Sequence, residues 1–100
     1  DQLVEVLMHR DPKARVMLAL MRHADSFGEP VAEGVRVRMA SSDIAREVAV
    51  ELPVALDVMA RLRRLRLAWE DADGVVVADV GRLREFFEFL EMPLKFGGEA

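Results

Sequence analysis

Residues 41–65 read SSDIAREVAVELPVALDVMARLRRL, and this stretch decides the fold. Ser41 or Ser42 can cap a short helix over residues 43–48, because a serine hydroxyl accepts from the open amides of a first turn. Ile44, Ala45 and Val48 would face inward from it. Residues 49–52 leave room only for a turn. Pro53 then suits the first turn of a second helix, where its missing N–H removes no hydrogen bond. That helix is expected over residues 53–65, with Ala55, Val58, Met59 and Leu62 forming a buried stripe at the 3.6-residue period. Two helices joined by so short a turn make a helix-turn-helix.

The flanking residues complete the domain. Asp11 can cap, and Pro12 can open, a helix over residues 12–25, whose inward residues Ala14, Met17, Leu18 and Met21 share one face. Gly28 and Pro30 stop it. Val35-Arg36-Val37-Arg38-Met39 alternates strictly, so Val35, Val37 and Met39 point one way and the two arginines the other. The partner of this strand is expected near residues 30–32. Residues 67–79 read as a hairpin, with Asp73-Gly74 as its two-residue turn, Val75-Val76-Val77 as the return strand and Trp69 packed beneath. Asp79 would cap a last helix over residues 80–92, with Leu83, Phe86, Phe87 and Leu90 inward. Residues 93–100 read as a tail that folds back over Phe89. The fold class is α+β, a winged helix: a helix-turn-helix with small antiparallel hairpins, spanning residues 10–92.

Composition narrows the function. One hundred residues make one domain, and 52% hydrophobic with 32% charged residues is globular composition. With no cysteine there is no disulfide, thiol nucleophile or zinc knuckle, which fits a reducing cytoplasm. No apolar run approaches the roughly 20 residues of a membrane span, so no membrane partner is expected. The chain opens on Asp1 rather than Met, as expected for a piece of something longer or for a chain whose ordered part starts here. A net charge of −4 removes the global attraction that assists most nucleic-acid binders.

Catalytic chemistry finds no foothold. His9 and His23 fall on separate helices and belong to no metal-ligand pattern, so structural or surface roles suit them better. Asp71-Ala72-Asp73-Gly74 lacks the closing glutamate of a calcium loop. Ser26, Ser41 and Ser42 have no evident base. Glu85, Glu88 and Glu91 are spaced for a solvated helix face rather than a facing carboxylate pair. No catalytic, cofactor-binding or metal residue is assigned, and no cofactor is expected in this segment.

Several motifs then converge. Asp11-Pro12-Lys13-Ala14-Arg15, the Val35-Arg36-Val37-Arg38 strand, Ser41-Ser42-Asp43-Ile44-Ala45, and Leu62 and Leu67 followed by Val75-Val76-Val77-Ala78-Asp79 together cover about residues 10–90. In layout they resemble the C-terminal winged helix-turn-helix domain of the Crp/FNR family of bacterial transcription regulators. The resemblance implies an upstream cyclic-nucleotide-type sensor domain and a homodimeric parent. Its long dimerisation helix would end in residues 1–9. It also implies a recognition helix, here residues 53–65, lying in the DNA major groove with the wing near phosphates.

The departures from that family fall on the leading surface. At about 100° per residue from Ala55, the pole opposite the buried stripe carries Pro53, Asp57, Ala60 and Arg64, with Leu56 beside it. Base edges are read by hydrogen-bond donors and acceptors. The family places Arg, Glu, Ser or Thr there; Leu52, Pro53 and Leu56 offer nothing comparable, and Asp57 can only accept. Glu70, Asp71 and Asp73 at the wing tip, and Glu51 before the helix, oppose phosphate. Leu52, Pro53, Val54 and Leu56, with Asp57, are therefore the candidate protein interface.

The alternative is a DNA-binding regulator gripping phosphates through Arg36, Arg38, Arg61, Arg63 and Arg64. Against it, Arg61, Arg63, Arg64 and Arg66 suit the negative end of the helix dipole, and Arg36 and Arg38 are expected to pair with acidic neighbours. Arg66 stands at a helix stop where the family often has Gly or Asn; a left-handed arginine there costs about 1 kcal/mol, so a locally different turn is expected. The expectation is a non-enzymatic regulatory module with a degenerate recognition helix turned to a protein partner.

Overall fold

A computed structural model describes residues 11–99, with side chains as far as Glu91. Helix α1 (Pro12–Phe27) opens as its sequence dictates: the Asp11 carboxylate accepts from the Lys13 amide at 2.9 Å, and Pro12 occupies the first turn. Val16, Ala19 and Leu20 are fully enclosed on its inner side. The helix continues to Phe27 before Gly28 ends it, two residues beyond the expected Asp25.

Four strands follow in two hairpins: β1 (Glu29–Val31) with β2 (Gly34–Val37), and β3 (Ala68–Asp71) with β4 (Gly74–Val77). The two hairpins are one antiparallel sheet in the order β1-β2-β4-β3. Val35 pairs with Val77, Arg36 with Val76 and Val37 with Val75. This joining is not apparent from the sequence, and it explains the three-valine run: Val75 and Val77 enter the core, while Val76 on the opposite face is also buried between its cross-strand neighbours Arg36 and Trp69. Each hairpin contains a glycine that the other hairpin demands. A Cβ on Gly34 (φ +147°) would lie 2.2 Å from the Val77 carbonyl oxygen, and one on Gly74 (φ +139°) 2.1 Å from that of Val37.

Gly74 is accordingly the first residue of β4, and the wing turn is Ala72-Asp73 rather than the expected Asp73-Gly74. The Asp71 carboxylate accepts from the Asp73 amide at 2.8 Å and closes the turn one residue earlier.

Helix α2 (Ser41–Glu47) and helix α3 (Leu52–Arg64) form the helix-turn-helix. The cap of α2 differs from expectation. Ala40 is the N-cap, its amide donating to the Asp43 carboxylate at 2.9 Å, while Ser41 is already helical and turns its hydroxyl to the wing. The two helices end alike. After α2 the Ala49 amide returns to the Arg46 carbonyl and the Val50 amide to that of Ala45; after α3 Arg66 returns to Arg63 and Leu67 to Leu62. This is the paired bonding of a Schellman ending, whose exit residue must be left-handed. Ala49 (φ 57°) and Arg66 (φ 59°) fill that place without being glycine.

Helix α4 (Val80–Glu99) is capped by Asp79, which accepts from the Arg82 amide at 3.1 Å. Leu83 is fully buried, and Phe86, Phe87 and Leu90 pack half-buried against the core. Phe89 is 62% exposed, so the expected cover over it is not formed. It stands off the buried stripe, and the helical backbone runs on past Met92 instead of turning back. Pro93 forbids one backbone hydrogen bond but tolerates helical φ. The expected upstream helix tail at residues 1–9 lies outside the described residues.

The core sits where the four helices of the described residues meet the inner face of the sheet, around Leu20, Val37, Ile44, Leu62, Val75 and Leu83. Among the described residues no helix is long and apolar enough to cross a membrane.

Candidate functional site

The surface of α3 is set by what its buried stripe leaves outside. Ala55, Val58, Met59 and Leu62 go inward as expected, and the outer side of the first two turns is left apolar. Leu52 is 44% and Leu56 47% exposed, with Pro53 exposed between them. Val54 is only half-exposed. Asp57 is exposed but borders a groove of about 310 Å³ between α1, α3 and α4, so its carboxylate lies to one side of the leucines. Three of the five interface candidates, Leu52, Pro53 and Leu56, thus form the patch proper.

The five candidate phosphate contacts divide. Arg36 donates to the Asp71 carboxylate at 2.6 Å. That hydrogen bond holds the Asp71 carboxyl below its ordinary pKa, aided by the backbone amides of Asp73 and Gly74, and raises Arg36 in return. Arg38 pairs with Glu29 at 2.5 Å. Both arginines lie on the outer sheet face, paired with acids as anticipated. Arg61 is drawn over the Phe86 ring, its guanidinium carbon 5.4 Å from the centroid, in cation–π geometry. Arg63 and Arg64 alone remain exposed with no partner among the described residues.

The wing acids also differ from expectation. Glu70 is not a free tip charge: its carboxylate accepts from the Ser41 amide at 3.0 Å and from the Ser41 hydroxyl at 2.6 Å. Asp71 is neutralised by Arg36. Only Asp73 is left as an unpaired acid on the described wing, so electrostatic repulsion of phosphate there is weaker than the sequence implies.

Two features escape the sequence. Ala49 holds the turn between α2 and α3 in a left-handed conformation, and its carbonyl accepts from Arg15 of α1 at 3.4 Å. His23, largely buried on α1, lies 2.7 Å from the Glu47 carboxylate, which also accepts from Arg22 at 2.9 Å. This cluster ties α1 to the end of α2, a structural role. Nothing in the local sequence marks Ala49 as left-handed, and the Glu47 contacts span more than twenty residues. Among the described residues no group of three or more His, Cys, Asp or Glu side chains could hold a metal ion.

No protein-family model and no curated protein matches the chain. Solved structures do resemble it. A mutant of CooA from Carboxydothermus hydrogenoformans superposes with a TM-score of 0.74 at 16% identity, covering 86% of this chain and 41% of that one. A transcriptional regulator of the CRP family from Thermus thermophilus gives 0.73 at 24% identity, covering 84% and 44%. A second regulator from that organism, of the CRP/FNR family, gives 0.71 at 18% identity, covering 86% and 45%. The chain thus has the winged-helix fold found in Crp/FNR-type transcription regulators, and it spans less than half the length of these proteins.

Proposed function

We propose that the chain is a non-enzymatic regulatory module of the cytoplasm, a winged helix whose α3 face docks onto a protein rather than reading DNA. The observation that carries this reading is the exposure of Leu52, Pro53 and Leu56 on the leading turns of α3. In a groove-reading helix these positions meet base edges, whose donors and acceptors would lose water against leucine and gain no hydrogen bond in return. Against a protein the same side chains gain about 25 cal/mol for each Å² of apolar surface removed from water. Loss of Arg36, Arg38 and Arg61 to internal partners supports the same reading, since it removes most of the phosphate grip. No cofactor is invoked. The parent is read as a homodimer with a sensor domain upstream.

DNA binding is the second reading, favoured by the fold and by unpaired Arg63 and Arg64. A photo-crosslinking amino acid placed at Leu56 in cells separates the two. A protein adduct that disappears with Leu52→Glu is expected. A DNA adduct at Leu56 that is lost with Arg63→Ala/Arg64→Ala would overturn the proposal.

A further inference from the structure

We infer that the partner of the α3 face is an acidic amphipathic peptide segment. It would lie along the helix with its apolar side chains on Leu52, Pro53 and Leu56 and its carboxylates over Arg63 and Arg64. This rests on the reading that the face binds protein and adds the chemistry of what binds.

Placement comes first. At about 100° per residue, Leu52, Leu56, Ala60 and Arg63 follow one line along α3, with Pro53 and Arg64 beside it. All six are exposed. The line passes from apolar to cationic over the length of the helix, and Ala60 in its middle lets a second backbone approach. One carboxylate, Asp57, lies beside this line, about 20° from Arg64 and about 40° from Pro53 in helix phase, at the edge that borders the groove with α1 and α4.

Charge points the same way. Five arginines elsewhere have carboxylate partners, Arg22 with Glu47, Arg36 with Asp71, Arg38 with Glu29, Arg46 with Asp43 and Arg84 with Asp25, whereas Arg66 and Arg82, like the α3 pair, have none among the described residues. The chain carries 18 acidic against 14 Lys and Arg residues, so carboxylates are not scarce. Arg63 and Arg64 are nevertheless without one among the described residues. The α3 dipole favours their charge but leaves the planar guanidinium donors open, and these match a carboxylate in a bidentate fork. A nucleic acid offers the anion, but its major groove offers Leu52 and Leu56 little apolar surface beyond thymine methyl groups. An acidic amphipathic segment offers both within one span of the helix.

The test pans a displayed library of random peptides, long enough to follow the roughly 20 Å of α3, on the 100-residue chain, with the Leu56→Glu chain as counter-target. Urea melts confirm that each variant is folded. The expected peptides carry apolar residues at helical spacing flanked by Asp and Glu. Arg63→Glu/Arg64→Glu should weaken the consensus peptide about tenfold, and changing its acids to lysine should restore binding to that variant. Enriched peptides that are basic or uncharged, or that ignore Arg63→Glu/Arg64→Glu, overturn the acidic assignment and leave the protein-binding reading in place. No enrichment over the Leu56→Glu chain overturns both.

Discussion

Ser41 and Glu70 join the helix-turn-helix to the wing: both the amide and the hydroxyl of Ser41 donate to the Glu70 carboxylate, at 3.0 and 2.6 Å. One wing carboxylate thereby satisfies an open amide at the start of α2, which no local side chain reaches. Glu70→Ala should cost about 1–2 kcal/mol in urea unfolding, and Ser41→Ala less, since the amide bond survives it. A double-mutant cycle should show coupling between the two sites. Additive losses would mean that the contact does not stabilise the fold.

Arg36 and Asp71 make the wing acid-sensitive. The Arg36 hydrogen bond holds the Asp71 carboxyl below its ordinary pKa of 3.8. A carboxyl whose pKa is lower folded than unfolded contributes stability above the unfolded value and loses it as pH falls through the folded one. Wild-type stability should therefore drop on acidification below about pH 4 more steeply than that of Asp71→Asn. Urea midpoints at a series of acid pH values give the comparison. Parallel profiles would contradict it.

Two helix ends carry a removable strain. Ala49 and Arg66 are left-handed, and an L side chain there costs roughly 1–2 kcal/mol against glycine before the extra chain entropy of glycine is counted. Ala49→Gly and Arg66→Gly should each raise stability by about 0.5–1 kcal/mol net, read from urea melts. Ala49→Pro, whose ring fixes φ at about −65°, should by contrast unfold the turn.

The exposed leucines should be dispensable for folding. Leu52→Glu and Leu56→Glu are expected to shift unfolding free energy by no more than about 0.5 kcal/mol, as at other surface positions. Leu20→Ala, at a fully buried position, should cost about 2–5 kcal/mol. A large loss at Leu56 would show that this side chain serves the core.

The parts of the fold legible in sequence are those fixed by local periodicity. The stripe Ala55, Val58, Met59 and Leu62, the alternation from Val35 to Met39, and the caps Asp11 and Asp79 each involve residues within a turn or two of one another. The β2–β4 pairing, the Ser41–Glu70 contact and the His23–Glu47 contact span far longer separations, and no local pattern announces them. The wing turn falls one residue earlier than the sequence implies because Gly74 serves the crossing with Val37 rather than the turn. On the site, the outward position of Leu52 and Leu56 is readable from helix phase alone. The withdrawal of Glu70, Asp71 and Arg61 into internal contacts is not, since each depends on a residue from another element.

The most direct trial of the α3 reading is selection from a pool of random DNA duplexes. It should be run with the chain alone and with two copies held together by a parallel coiled coil fused at Asp1. The expected result is no enriched sequence in either form, with whatever weak retention occurs vanishing as salt rises. An enriched operator-like motif whose binding weakens with Leu56→Glu would place α3 in the groove and contradict the assignment of its leading face to protein.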